Sequence, residues 1–393
     1  MKIGIAAPVE IHSLREFFPE YEKEQIPKGM GGTIIPTYLA KEFIKRGHSV
    51  SLYTLDSQVD APVTLIGENL KIYIGKYRKR ARHRALDFFA VERKCIAKSI
   101  IIDAPDIVNA HWTYEFALAT QETKMPTVIT ARDAPFAVLR QYPTKYRFIR
   151  LLMAWRVINR ASHMTAVSEY IAQHLNKYFG YTHNIRIIHN GIYFPEDEGQ
   201  FRTRKENHSR IVYFSISNGW GRMKNEERLL RAFNSIHQKD SKTELWMFGK
   251  DHGPGEGAYQ WAIRNHLSEG VRFVGEVPNN ILQQSLSQNA DILVHPSLEE
   301  SFGNVFLEAI VNGVPVIGGK NSGAVPFVLG GGLAGLLVDV TSIQELADGM
   351  MLLKDNETLR HTYVEKGREY VRNNFTISKM IGQYLAAYED VLE

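Results

Sequence analysis

A strand–helix alternation that starts twice along this chain constrains its fold more than any other feature. KIGIAAP reads as a buried strand, TIIPTYLAKEFIKRG as an amphipathic helix stopped at Gly47, and HSVSLYTL as the next strand. DIVNAH and TVITA are short β-branched runs, RFIRLLMAWRVINRA is helical, and SHMTAVS is again a strand. Ser168 then stands as the N-cap of EYIAQHLNKY, and IRIIHNG closes the series as strand and turn. A polar stretch, YFPEDEGQFRTRKENHS, interrupts the pattern and reads as a linker. RIVYFSIS restarts it, followed by the helix EERLLRAFNSIHQ and the strands ELWMFG, VRFVGEV, DILVHPS and VPVIGG. NVFLEAIVNG lies between the last two strands as a short helix ending at Gly313, and the chain from SIQELADGM onward is mostly helical.

Alternating strands and helices imply parallel sheets with right-handed crossovers. At 393 residues the chain exceeds one ordinary core, since domains run to roughly 100–200 residues each. The expected organisation is therefore two Rossmann-like α/β domains, at 1–190 and 210–372, joined by a linker at 191–209. Open parallel sheets bind ligands beyond the carboxyl ends of their strands. Two such sheets are expected to face an interdomain cleft, with function in the turns that follow strands.

Composition narrows the setting. The single cysteine, Cys95, cannot form an internal disulfide, which points to a reducing, cytoplasmic compartment and a structural thiol. The N-terminus lacks the apolar stretch and small-residue site of a signal peptide. The longest uncharged run, Asn321 to Val338, carries five glycines and a proline and does not suit a membrane span. The net charge of +4 conceals an asymmetry: residues 1–190 hold 27 Lys/Arg against 17 Asp/Glu, and residues 191–393 hold 20 against 26. The basic half predicts an anionic partner.

The most informative stretch is HPSLEESFGNVFLEAIVNGVPVIGG, residues 295–319. Glu300 falls in the turn after a strand and Glu308 lies on the helix that begins near Gly303. Backbone N–H groups at Phe302, Gly303 and Asn304 would sit at a helix N-terminus, a place that binds phosphate. Gly303 removes a side chain that would block close approach. Glu308 could accept hydrogen bonds from vicinal hydroxyls such as those of a ribose, and Glu300 could reach a sugar. Taken alone, two glutamates eight apart are better accounted for by ordinary acidic capping at a helix N-terminus.

The wider context decides between these. The E-x7-E spacing, the SFG tripeptide, the following LEA and the glycine before VPVI closely resemble the donor motif of glycosyltransferase family 4 (glycosyl transferases group 1), retaining enzymes of GT-B fold. MGGTIIPTYLAKEFIKRGHSVSLYT resembles the family's N-terminal glycine loop and first helix, and PDIVNAH its histidine segment. TAVSEYIAQHL, IRIIHNGI, ELWMFG, VRFVGEV and ADILVHPS extend the likeness to about residue 320.

The resemblance implies that Glu300 contacts the transferred sugar, Glu308 the ribose, and the amides of Gly303 and Asn304 the distal phosphate. Val277 would lie beside the base, and Gly31 and Gly32 would let the N-terminal loop approach the phosphates. His111, at a strand's carboxyl end, would hydrogen-bond near the donor sugar. Arg132 and Asp133, in the corresponding turn of the next strand, are weaker candidates for acceptor contacts. Lys224 would neutralise the leaving diphosphate, usually the largest catalytic term. Residues 373–393 would form a helix returning to the first domain.

Two positions depart from the family. Its usual arginine, five or six residues before the lysine, is replaced by Gly219 and Asn218, leaving Arg222 as the nearby guanidinium. Phe327 stands where a glutamate is common.

The run KYRKRARHR, residues 76–84, has six Lys/Arg in nine residues. With no nucleic-acid motif beside it, an anionic membrane or lipid-diphosphate acceptor is the expected partner. No Cys/His cluster at metal-ligand spacing and no Asp-x-Asp is evident, so neither a metal nor another cofactor is expected.

The expected activity is thus transfer of a hexosyl residue from a nucleoside diphosphate sugar, a UDP-sugar before GDP-mannose, to a glycan or lipid-linked hydroxyl. Cell-envelope polysaccharide synthesis, on the inner face of the plasma membrane, is the expected context. A nucleotide-sugar epimerase of the same fold, a phosphorylase and a non-catalytic nucleotide-sugar-binding protein are the alternatives.

Overall fold

A computed structural model describes residues 1–32, 34–194 and 210–393. Most of the expected linker, residues 195–209, lies outside the described residues. The chain forms two compact units: Met1–Gly191 with Ile377–Glu393, and Ile192–Thr376.

Among the described residues the first unit is built on eight strands: β1 (Lys2–Ala6), β2 (Ser49–Asp56), β3 (Val63–Gly67), β4 (Leu70–Lys76), β5 (Ile107–His111), β6 (Thr127–Ala131), β7 (Met164–Ala166) and β8 (Ile185–Ile187). Their order is β3-β4-β2-β1-β5-β6-β7-β8, parallel throughout except for the antiparallel pair β3–β4. The central strands are buried on both faces, which is why they read as unbroken apolar runs. The β3–β4 hairpin is an addition to the alternation read from sequence. Its turn has no glycine; Asn69 takes the left-handed conformation instead, at φ 57°. Ser168 caps its helix as expected, accepting from the Ile171 amide at 3.3 Å. The helix Ile377–Leu392 packs on β6 and on the helix Ile35–Lys45, with Tyr384 and Tyr388 buried.

Among the described residues the second unit holds six strands, all parallel: β9 (Ile211–Ile216), β10 (Thr243–Phe248), β11 (Val271–Gly275), β12 (Ile292–Val294), β13 (Val316–Gly319) and β14 (Leu336–Val338). Their order is β11-β10-β9-β12-β13-β14. Its core is made by Tyr213, Leu229, Phe233, Leu245, Met247 and Ile292, among others.

In both sheets the winding direction reverses beside the first strand. The reversal falls between β1 and β5 in one unit and between β9 and β12 in the other. The loops after these strands part there, which is where open α/β sheets take their ligands.

Candidate active site

At the reversal of the second sheet, the loop 217–225 after β9 meets the loop 295–303 after β12. Hydrogen bonds join them: Leu298 N–H donates to the Met223 carbonyl at 2.8 Å, and the Asn225 side chain donates through Nδ2 to the Pro296 carbonyl at 2.9 Å and also to that of Val340, after β14, at 2.7 Å. Asn225 holds a positive φ of 60° directly before the helix Glu226–His237.

This stitching brings Lys224 Nζ to 2.7 Å from Glu300 Oε1, and His295 Nε2 reaches the same oxygen at 2.9 Å. Burial alone would push the Glu300 carboxyl up, but Lys224 and then His295 overcome it and hold the group well below the usual carboxylate range. The cluster is a fixed anion flanked by two donors at a strand's carboxyl end.

Glu300's backbone is also fixed. Its carbonyl accepts from Ala324 N–H at 2.9 Å, and a Cβ on Gly323, whose φ is +59°, would come within 2.3 Å of that oxygen. Gly303 follows at φ +93° as the cap of the helix Asn304–Val311, and a Cβ there would meet the Phe306 ring at 2.8 Å. The positive end of that helix dipole therefore lies a few residues from Glu300. Glu308, in its second turn, is half-buried. Burial pushes its carboxyl up, opposed by a hydrogen bond from Gln283. Gln283 in turn accepts from Asn312 Nδ2 at 2.7 Å.

Other expected residues fall around this cluster or apart from it. Arg222 is exposed on the same loop as Lys224. Val277 is half-buried, two residues past β11. The Phe302 ring is turned inward against Phe375, at 5.5 Å between centroids, leaving its backbone as the part that can face a ligand. Phe327 joins this aromatic cluster: it lies 6.1 Å from Phe375, and its carbonyl accepts from Tyr370 Oη at 3.0 Å. That packing gives a structural account of the departure at residue 327.

In the first unit, His111 ends β5 and is fully buried. Arg132 Nε donates to His111 Nδ1 at 2.6 Å, and Arg132 Nη1 to Asn190 Oδ1 at 3.0 Å. Burial and then the Arg132 charge hold the His111 imidazole well below its usual range. Asp133 accepts from Tyr114 Oη at 2.8 Å, and burial raises its carboxyl. Gly31 and Gly32 have φ of +75° and +114°, and Gly31 N–H donates to the Val9 carbonyl at 3.2 Å. The sterically demanding glycine of this loop is Gly29, where a Cβ would lie 2.3 Å from the Val9 carbonyl.

The basic run divides. Arg78 is committed to Asp87 (2.8 Å) and the fully buried Glu92 (2.6 Å). Arg84 is buried, lies 3.9 Å over the Tyr77 ring and donates to the Arg78 carbonyl. Lys79, Arg80, Arg82 and His83 remain exposed.

His295, Asn225, Gln283 and Gly323 were not singled out by the sequence reading. His295 carried a signal, since it stands at a strand's carboxyl end as His111 does. Asn225, Gln283 and Gly323 act through backbone conformation or contacts with residues distant in the chain, and carried none. Among the described residues, no three His, Cys, Asp or Glu side chains gather as a metal site.

Two α/β units with parallel sheets, each with loops at the reversal of its strand order, define the GT-B class of glycosyltransferases. The first part of the chain matches the family described as Glycosyltransferase Family 4 over residues 31–193, and the second matches Glycosyl transferases group 1 over residues 197–370. The chain belongs to glycosyltransferase family 4. It is 25% identical over 379 residues to N-acetyl-alpha-D-glucosaminyl L-malate synthase of Bacillus anthracis, covering 93% of this chain and 95% of that protein. Sucrose-phosphate synthase from Thermosynechococcus elongatus shares the fold at a TM-score of 0.79 and 17% identity, over 100% of this chain and 99% of that one. Anabaena Alr3699/HepE in complex with UDP-glucose shares it at 0.68 and 17%, over 99% and 100%.

Proposed function

We propose that this glycosyltransferase moves a hexosyl residue from a nucleoside diphosphate sugar, UDP-linked before GDP-linked, to a hydroxyl of a glycan or lipid-diphosphate-linked acceptor, with retention of configuration. The observation that carries this reading is Glu300 held ionised by Lys224 and His295 at the sheet's reversal point. Glu300 positions the sugar and stabilises developing positive charge. Lys224, the backbone at Gly303 and Asn304, and Arg222 take the diphosphate, so that the protein's own cations and helix dipole carry charge a metal carries elsewhere. Glu308 holds the ribose and Val277 borders the base.

A thermal-shift panel of UDP, GDP, ADP and their sugars, run on wild type and Glu308→Ala, tests the donor assignment. Selective stabilisation by one nucleotide, lost in the variant, supports it. No shift with any nucleotide overturns it.

For the acceptor we propose a lipid-linked molecule presented at an anionic membrane surface, in cell-envelope polysaccharide synthesis. The helix Lys145–Ile158 exposes Phe148, Leu152 and Trp155 along one face and carries no acidic residue. It packs against the helix Ala81–Leu86, which brings Arg80, Arg82 and the exposed Leu86 alongside. Aromatic and aliphatic groups edged by cations suit a bilayer interface. Among the described residues no helix is long and apolar enough to cross a membrane.

A further inference from the structure

Arg132 is a buried cation with no carboxylate paired to it among the described residues. It follows β6, is 8% exposed, and its Nη2 has no hydrogen-bond partner among the described residues. Burial disfavours its charge. A guanidinium kept in such a place needs a reason beyond stability, because an uncompensated buried charge is costly.

The reason lies in the direction of one hydrogen bond. A guanidinium has five N–H donors and no acceptor. At 2.6 Å from Arg132 Nε, His111 Nδ1 must therefore be the acceptor and carry no proton. The neutral ring then bears its hydrogen on Nε2. That nitrogen is buried and has no hydrogen-bond partner among the described residues. A histidine with a purely structural role would have both ring nitrogens satisfied. This one presents a single unsatisfied N–H at the strand end beside the reversal of the sheet.

We propose that Arg132 is a positioning residue that locks His111 in the neutral Nε2–H tautomer, making it a standing hydrogen-bond donor to a substrate oxygen and barring it from accepting a proton. The inference deepens the transferase reading and rests on it for the identity of that oxygen: a sugar hydroxyl or an oxygen that gains negative charge during transfer. A second proton on the ring would have to enter at Nδ1, against the guanidinium. The groups facing His111 from neighbouring elements are Arg132 after β6 and the Tyr384 ring, 6.4 Å away on the C-terminal helix. Neither supplies the negative charge that would draw such a proton in.

The test has two parts. In the isotopically labelled protein without substrate, the His111 ring signal is identified by its loss in His111→Gln and followed from about pH 5 to 8, the range in which an ordinary histidine titrates. The expected result is the Nε2–H tautomer with no titration. An Nδ1–H tautomer, or a midpoint inside that range, overturns the proposal. The second part compares kcat against pH for Arg132→Met and Arg132→Lys. Arg132→Met is expected to lower kcat about tenfold to a hundredfold through misorientation and to acquire an acid limb. Arg132→Lys, which keeps a donor, is expected to restore the flat profile. An unchanged profile in Arg132→Met overturns the proposal. Should that variant not fold, the ring titration of wild type and Arg132→Lys decides. The ring measurement needs no substrate, so a failed tautomer and a failed transferase reading give different results.

Discussion

Lys224 Nζ and Glu300 Oε1 are 2.7 Å apart, although 76 residues separate them in the chain. The pair exists because the loops after β9 and β12 run side by side. His295 donates to the same oxygen, so Glu300 keeps one donor if the lysine turns to a diphosphate. Removing the lysine takes away the largest influence holding the carboxyl ionised. Lys224→Ala is expected to lower kcat by about a hundredfold to a thousandfold, as for removal of a charge-stabilising donor. The sign of the pH effect follows from the depressed carboxyl. In wild type its contribution to stability is full above the unfolded pKa, about 4.3, and is lost as pH falls through the lower folded value. In Lys224→Ala the folded value rises, so kcat should gain an acid limb that wild type lacks. A steady-state pH series on both proteins measures this.

Glu308 titrates in the opposite sense. Burial raises its carboxyl, so the folded state prefers the protonated form. The stabilisation is complete below the unfolded value of about 4.3 and is lost as pH rises through the folded one. Glu308→Gln keeps the shape without the charge. It should melt at or above the wild-type temperature at neutral pH, yet lose most of the shift produced by the bound nucleotide. A variant that melts higher and still responds fully to nucleotide would remove Glu308 from the donor site.

Much of this architecture was legible because its signals are local. Buried parallel strands are continuous apolar runs, and Ser168 and Gly313 mark helix boundaries by their own chemistry. Glu300 and Glu308 were legible through spacing and context. The β3–β4 hairpin escaped because Asn69 supplies the left-handed turn residue without a glycine. The shared oxygen of Glu300 escaped for another reason: His295 and Lys224 reach it from different strands, and no periodicity within either segment encodes that meeting. The basic run looked uniform in sequence, but Arg78 and Arg84 are used internally, and only the fold separates them from their exposed neighbours.

Gly323 offers a way to disturb Glu300 without touching its side chain. At φ +59° an alanine is strained, and its Cβ would meet the Glu300 carbonyl at 2.3 Å. Gly323→Ala should cost about 1–3 kcal/mol of stability, as for other residues forced into unfavourable backbone regions. It should reduce kcat more than a substitution elsewhere of equal destabilisation, because the displaced segment carries the carboxylate. Urea unfolding and kcat measured on the same preparation separate the two effects. A loss of stability with kcat unchanged would show that the Glu300 backbone position does not matter to the reaction.

The exposed stripe on the helix Lys145–Ile158 makes the membrane proposal separable from catalysis. Phe148 is 53% and Trp155 58% exposed, so replacing them with serine should change stability by no more than about 0.5 kcal/mol. Flotation with vesicles of phosphatidylcholine alone and with added phosphatidylglycerol reads the interaction directly. Wild type should float with the anionic vesicles, less so as salt is raised, because exposed cations are screened within a Debye length of about 10 Å at 0.1 M. The double variant Phe148→Ser, Trp155→Ser should stay in solution while its melting shift with nucleotide is unchanged, since its substitutions lie in the first unit and Glu300, Glu308 and Lys224 in the second. Flotation of the variant equal to wild type would move the contact to Lys79, Arg80 and Arg82 alone. Failure of wild type to float with either vesicle would remove the membrane from the proposal and leave a soluble acceptor.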